Sequence, residues 1–191
     1  KHANPTRDFN NIVLRMKSLN PDIVIPANYY NEYALLLRTM QQQKVTPKAV
    51  YSVLGGAASS FKFVKEAPES ANGIIDCNHW YNPKDARALA LRKRVEAKGL
   101  FFTYEIFNTY TAMMYLADAI NRAKSTDRAA ITAALADSTF SDHFMPYGPT
   151  KMVNGQNTGA QPLMTQVLGG DIKVIVPREY RQADPVFPMK S

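Results

Sequence analysis

Apolar residues first recur three and four positions apart. Phe9, Ile12, Val13, Met16 and Leu19 share one face of a predicted helix. Asp8 is placed to cap that helix, and Asn20-Pro21 ends it. Asp22 to Pro26 reads DIVIP, a short apolar strand. A second helix follows, with Asn31 as its expected cap and Tyr33, Leu36, Leu37 and Met40 spaced for burial. Pro47 to Leu54 (PKAVYSVL) predicts a strand that ends at Gly55-Gly56. A short helix is expected around Phe61 to Glu66, and Gly73 to His79 (GIIDCNH) predicts a third strand.

Strands and helices alternate here with short connections. That order predicts an α/β fold with a parallel sheet and helices packed on it. Ligands in such sheets bind beyond the carboxyl ends of the strands. Those ends are Ala27 to Tyr30, Leu54 to Gly56, and Asn78 to Tyr81.

Beyond Asn82-Pro83 the pattern changes. A basic helix is expected to run to about Lys98. The stretch from about Thr103 to Ala123 carries Ile106, Phe107, Tyr110, Met113, Met114, Ala117 and Ile120 almost all round a helix, which predicts burial on several sides. Another helix is predicted near Asp127 to Ala136, followed by a loop from Asp137 to Pro149 and a possible strand over Thr150 to Val153. Leu163 to Leu168 and Ile172 to Val176 flank Gly169-Gly170-Asp171, a hairpin signal. The tail from Pro177, with Pro185 and Pro188, reads as a surface wrap. The middle section offers its helices one candidate strand and no sheet, so a part of the protein is expected upstream.

Composition narrows the function classes. Forty-six per cent of the 191 residues are hydrophobic, enough for a packed core. No apolar run reaches the ~20 residues of a membrane span. The opening KHANPTRDFNN has no apolar signal region. The net charge of +7 comes from 23 basic and 16 acidic residues. Its densest group, Arg87, Arg92, Lys93, Arg94 and Lys98, lacks interleaved aromatics and reads as a solvated helix face, so no nucleic-acid partner is expected. Cys77 is the single cysteine, which rules out an internal disulfide.

A search for catalytic chemistry yields none. There is no Gly-x-Ser-x-Gly elbow, and Gly55-Gly56 is followed by Ala57-Ala58-Ser59-Ser60 without a phosphate-loop lysine. His2, His79 and His143 lack metal-ligand spacing, and Cys77 with His79 falls two ligands short of a zinc site. Strand alternation also points Cys77 and His79 away from the face of Asp76 and Asn78. No enzyme activity, metal or cofactor is expected. Aromatics carry more of the signal. Tyr29, Tyr30, Trp80 and Tyr81 fall at strand ends on one side of one sheet, and Phe101, Phe102 and Tyr104 at the ends of other elements. Small-molecule clefts favour such walls. Tyr29, Tyr30, Leu54, Gly55, Gly56 and Trp80 are therefore the candidate ligand-binding residues.

From ANYYNEYALLLRTMQQQKVTPKAV onward the sequence resembles the type I periplasmic binding proteins of the leucine/isoleucine/valine-binding class. The resemblance extends to DFNNIVLRMKSLNPDIVI, to ANGIIDCNHWYNP, to YTAMMYLADAINRAKSTDRAAITAAL and to PYGPTKMVNGQNTGAQPLMTQVLGGDIKVIVP. No one of these motifs decides; their order does.

The resemblance implies two Rossmann-like lobes with parallel central sheets, of which this chain holds a truncated second half. Residues 1–80 correspond to lobe two, 81–156 to a mainly helical part of lobe one, and 157–191 to a return to lobe two. It also implies a function. The lobes close on one small ligand in the cleft between them, and an ABC transporter permease in the membrane reads the closed form. The precursor then carries a signal peptide, the location is periplasmic (or extracellular and membrane-anchored), and the missing N-terminal half is a partner. A ligand-sensing receptor or regulatory domain of the same fold is the alternative. In the family a tyrosine after the second-lobe strand packs on the ligand; Tyr29 matches it best and Tyr30 next. A glutamate at the following strand end pairs with the ligand's ammonium group, but Leu54 stands there, and Val53 and Gly55 cannot serve. A buried ammonium without its carboxylate costs several kcal/mol. The ligand is then an amino acid held through another acid, Asp76 or Glu105, or an aromatic or aliphatic carboxylate without an ammonium group.

Overall fold

The computed structural model describes residues 2, 5–53 and 57–189. Their contacts divide the chain into two compact units, Lys1–Asn78 with Leu163–Ser191, and His79–Pro162.

The first unit opens with helix α1 (Asn10–Leu19), strand β1 (Ile23–Val24), helix α2 (Tyr30–Gln42) and strand β2 (Ala49–Val53). Short helices α3 (Phe61–Glu66) and α4 (Pro68–Ala71) lead to strand β3 (Ile75–Asn78). Asp8 Oδ1 accepts a hydrogen bond from Asn10 N at the start of α1, and Asn20 closes the helix in a left-handed conformation (φ 45°). Helix α2 starts one residue before the expected cap. Its N-cap is Tyr29 rather than Asn31, and the first backbone bond runs from Tyr33 N to Tyr29 O. Packing overrides the local cap signal: the rings of Tyr30 and Tyr33 both meet Phe63 edge-on, at 6.3 and 6.1 Å.

Strand order in the sheet is β1-β2-β3-β6-β7, with β6 (Leu163–Leu168) and β7 (Asp171–Val176) contributed from the end of the chain. The pairs β1–β2 and β2–β3 are parallel, whereas β3–β6 and β6–β7 are antiparallel. Gly169 (φ 59°) and Gly170 (φ 76°) make the turn of the β6–β7 hairpin, a geometry that a side chain at either position would strain. The tail then wraps back. Gln182 N donates to Val174 O, Gln166 holds Val186 by its backbone N and O, and Met189 N donates to Lys48 O.

The second unit holds helices α5 (Ala86–Glu96), α6 (Tyr104–Ala123) and α7 (Arg128–Ala136) and a two-stranded hairpin, β4 (Met152–Val153) with β5 (Gln156–Asn157). Helix α5 starts at Asp85, whose carboxylate accepts from Arg87 N, rather than at Asn82-Pro83. Asn82 instead accepts from Lys84 N in the turn before it. Asp127 caps α7 by accepting from Ala130 N. Helix α6 was expected to be buried on several sides, yet only Phe107, Thr111 and Ala119 are buried. Tyr110 is 40% and Met113 59% exposed. The physical reason is the lack of a sheet: α6 packs along α7, and the described strands of this unit are the two-residue β4 and β5.

The loop between α7 and β4 is pinned by a buried imidazole. His143 Nε2 donates to Gly148 O, and Nδ1 accepts from Met145 N. Only the neutral ring can do both. Burial holds its pKa below the ordinary 6.5, and the Arg87 guanidinium, bonded to His143 O and to Asp142, pushes the same way. The Gly148 carbonyl and Asp142 oppose that shift, and the Tyr147 ring lies tilted against the imidazole at 4.8 Å. A depressed pKa of a base makes the neutral form the stable one. The contribution is therefore full above the unfolded value of 6.5 and declines as pH falls below it. Melting temperature should fall between pH 7 and about 5, and His143→Gln should flatten that part of the profile. An unchanged slope in the variant contradicts the pinning role.

Candidate functional site

The parallel strands of the first unit end at Val24, Val53 and Asn78, and Tyr29 follows β1 at the start of α2. Of the sequence-predicted site residues, Leu54, Gly55 and Gly56 lie outside the described residues. Tyr29 sits at the N-cap of α2 in an extended conformation (φ −71°, ψ 167°) with 76% of its surface exposed. A large ring held that openly can receive a flat or branched apolar group.

Tyr30 points elsewhere. Its hydroxyl donates to Glu66 Oε2 at 3.1 Å, and Lys62 Nζ lies 5.3 Å from the ring centroid. Burial first, then the bond to Glu66 and its charge, push the phenol pKa up to about 12. Tyr30 thus ties α2 to α3 and keeps its proton.

Beneath these residues lies a buried polar layer. Ser52 is fully buried, and Asp76 and Asn78 are each 1% exposed. The Tyr33 hydroxyl and Ser52 Oγ share a hydrogen bond, and Ser59 Oγ donates to Asp76 Oδ2. Burial drives the Tyr33 pKa up. These bonds join α2, β2, the 57–60 turn and β3, so the layer sets where the strand ends stand. Asp76, offered from sequence as a replacement acid, is enclosed on this layer and engaged by Ser59. Glu105 lies in the other unit, exposed in the first turn of α6.

Trp80 is also placed differently from an open cleft wall. It has no exposed surface, stacks on Tyr81 at 5.5 Å, and meets Phe107 edge-on at 5.3 Å. Phe102 completes the cluster, 5.3 Å from Tyr81 and 5.4 Å from Phe107. Sequence reasoning passed over Glu32 and Glu66. Glu32 stands in the first turn of α2, three residues after Tyr29, and is 7% exposed. Carboxylates are favoured at a helix amino end; a Glu at the third helical position was the available signal.

Tyr29 presents an exposed aromatic face, while the Tyr30 and Tyr33 hydroxyls, bonded to Glu66 and Ser52, have raised pKa values and stay protonated. Among the described residues no group of three or more His, Cys, Asp or Glu side chains is placed to hold a metal ion. Among them, too, no helix is long and apolar enough to cross a membrane.

Residues 1–171 match the family model for periplasmic binding proteins. The chain belongs to that family. Its fold is that of the type I members, α/β with a central sheet in which β1, β2 and β3 run parallel. A leucine-binding protein from Thermotoga maritima is similar in structure, with a TM-score of 0.73 at 22% identity, over 91% of this chain and 49% of that one. A branched-chain amino acid transporter substrate-binding protein from Streptococcus pneumoniae, solved with isoleucine, has a TM-score of 0.75 at 18% identity, over 98% and 51%. An extracellular ligand-binding receptor from Rhodopseudomonas palustris has a TM-score of 0.72 at 18% identity, over 91% and 52%. This periplasmic binding protein chain spans about half the length of those relatives. No curated protein matches it. Family and fold are those of solute-binding proteins, which capture ligands rather than transform them.

Proposed function

We propose that the chain is the ligand-capturing part of a substrate-binding protein that serves an ABC importer from the periplasm. The open ring of Tyr29, at the N-cap of α2 in the connection that follows β1, carries this reading. The similar structures bound to isoleucine or named for leucine support it by analogy. The first unit corresponds to the second lobe of the family, and the second unit to part of the first lobe. The rest of that lobe, and the opening of the second, belong to polypeptide upstream of these residues. The ligand is a branched-chain or other amino acid, or an aromatic or aliphatic carboxylate. Tyr29 packs on it. A membrane permease is the partner.

The absence of an acid at Leu54, and the engagement of Asp76 by Ser59, favour a carboxylate without an ammonium group. A thermal-shift panel on the full-length protein tests the choice, because ligand held by the native state alone raises stability by RT ln(1 + [L]/Kd). At about 100 Kd that is about 2.7 kcal/mol, a shift of a few degrees. Carboxylates should raise the melting temperature and leucine, isoleucine and valine should not. A clear shift with leucine keeps the binding role and assigns the ammonium to another acid. Silence across the whole panel contradicts the ligand class. The receptor from Rhodopseudomonas palustris keeps a second reading in view, a ligand-sensing domain of the same fold.

A further inference from the structure

Glu32 and Asp76 are buried carboxylates of the first unit. Asp76 accepts a hydrogen bond from Ser59. Glu32 differs. It is 7% exposed, yet among the described residues no donor and no cation engages its carboxylate. Burying an acid without a donor or a counter-charge is costly, so the position needs a reason.

Helix capping does not supply one. A Glu at the third helical position commonly reaches back to the backbone N–H of the N-cap residue. That residue is Tyr29, and no such bond forms between the two. Nor does Glu32 tie α2 to α3, a task that falls to Tyr30 and Glu66.

The position of Glu32 points to the ligand instead. Residues three apart are neighbours across a helical turn, and a helical side chain leans toward the amino end of its helix. Glu32 therefore leans toward Tyr29, whose ring is 76% exposed. Its oxygens are not among the sealed, unpartnered polar atoms of the described residues, so they still meet solvent. The amino end of α2 also favours negative charge there.

We infer that Glu32 is a specificity-determining residue of the ligand site, accepting a hydrogen bond from a donor that the ligand carries beside the group packed on Tyr29. This rests on the reading of Tyr29 as the ligand contact. A carboxylate repels the ligand's own carboxylate, so the group at Glu32 is an O–H or an N–H. With Leu54 in place of an acid, the hydroxyl is the donor. The ligand class is then the hydroxycarboxylates, aliphatic or aromatic. An ammonium group is the other source of the same chemistry.

The experiment is titration calorimetry on the full-length protein, native, Glu32→Gln and Glu32→Met. The ligands are pairs that differ by one hydroxyl, α-hydroxyisocaproate with isocaproate and para-hydroxybenzoate with benzoate, and leucine for the ammonium. Glu32→Met removes a buried charge at similar volume, so the fold should hold. A site built around an acceptor rejects the analogue that lacks the donor. The native protein should bind a hydroxylated acid about ten- to a hundredfold more tightly than its parent, the range for a hydrogen bond to a charged group. Glu32→Met should erase that preference, and Glu32→Gln, which keeps an acceptor, should recover much of it. Leucine bound by the native protein and lost in both variants keeps Glu32 as the acceptor and makes the ammonium the donor. A preference that survives in Glu32→Met, with both members of a pair weakened equally, marks a structural role and overturns the inference. A native protein that binds parent and hydroxylated acids alike overturns it too, and spares the ligand reading. Silence toward every compound overturns both.

Discussion

Trp80→Ala is expected to cost about 3–5 kcal/mol of unfolding free energy, the range for truncating a large aromatic in a core. Trp80 has no exposed surface and touches two rings, Tyr81 and Phe107, that themselves pack on Phe102. Removing the indole leaves a void lined by three aromatics that cannot all close into it, because each is fixed by the others. Helix α6 then loses the neighbour of Phe107, one of its few buried anchors. Denaturant unfolding of the full-length protein reads the loss directly. A cost under about 1 kcal/mol, the ordinary effect of a surface substitution, contradicts this packing. Trp80→Phe, which keeps a ring in place, should recover much of the difference.

Tyr29→Ala is expected to do the opposite: little to stability, much to binding. The side chain is 76% exposed, so the melting temperature should change by no more than about 1 °C. If the ring packs on the ligand, affinity should fall about ten- to a hundredfold, the range for removing an aromatic anchor worth some 1.4–2.8 kcal/mol. Tyr29→Phe should bind nearly as well as the native protein, since the face and not the hydroxyl makes the contact. The comparison with Tyr30→Phe is informative. That change removes the bond to Glu66 and should lower stability slightly while sparing affinity. Equal affinity for Tyr29→Ala and the native protein contradicts the site.

Much of the first unit was legible in the sequence because its signals are periodic. DIVIP and PKAVYSVL are apolar runs between helix patterns, and handed connections leave few ways to join them. Other features carry no such signal. The β4–β5 hairpin turns on Asn154-Gly155, with φ of 49° and 78°, a plain turn dipeptide. The strand expected over Thr150 to Val153 contains β4, but its partner β5 went unread because a strand of two residues shows no alternation. In β3 the hydropathy pattern is inverted: Asp76 and Asn78 are buried while Ile75 and Cys77 are half-exposed. Ser59 and Thr165, distant in sequence, supply hydrogen bonds on the buried side, and no local rule predicts that. The same applies to Trp80. Its neighbour Tyr81 was visible, but Phe102 and Phe107 are brought to it only by the fold. Tyr29, by contrast, could be picked out because it follows a strand and precedes a helix.

The central claim is that ligand is captured at the strand ends of the first unit. Hydrogen-exchange mass spectrometry on the full-length protein, with and without the panel member that raises its melting temperature, tests this most directly. The account predicts slowed exchange in the peptides spanning residues 27–34 and 57–61, around Tyr29 and Ser59. Ligand-dependent protection confined to other segments, such as the 178–184 turn after β7, would contradict it.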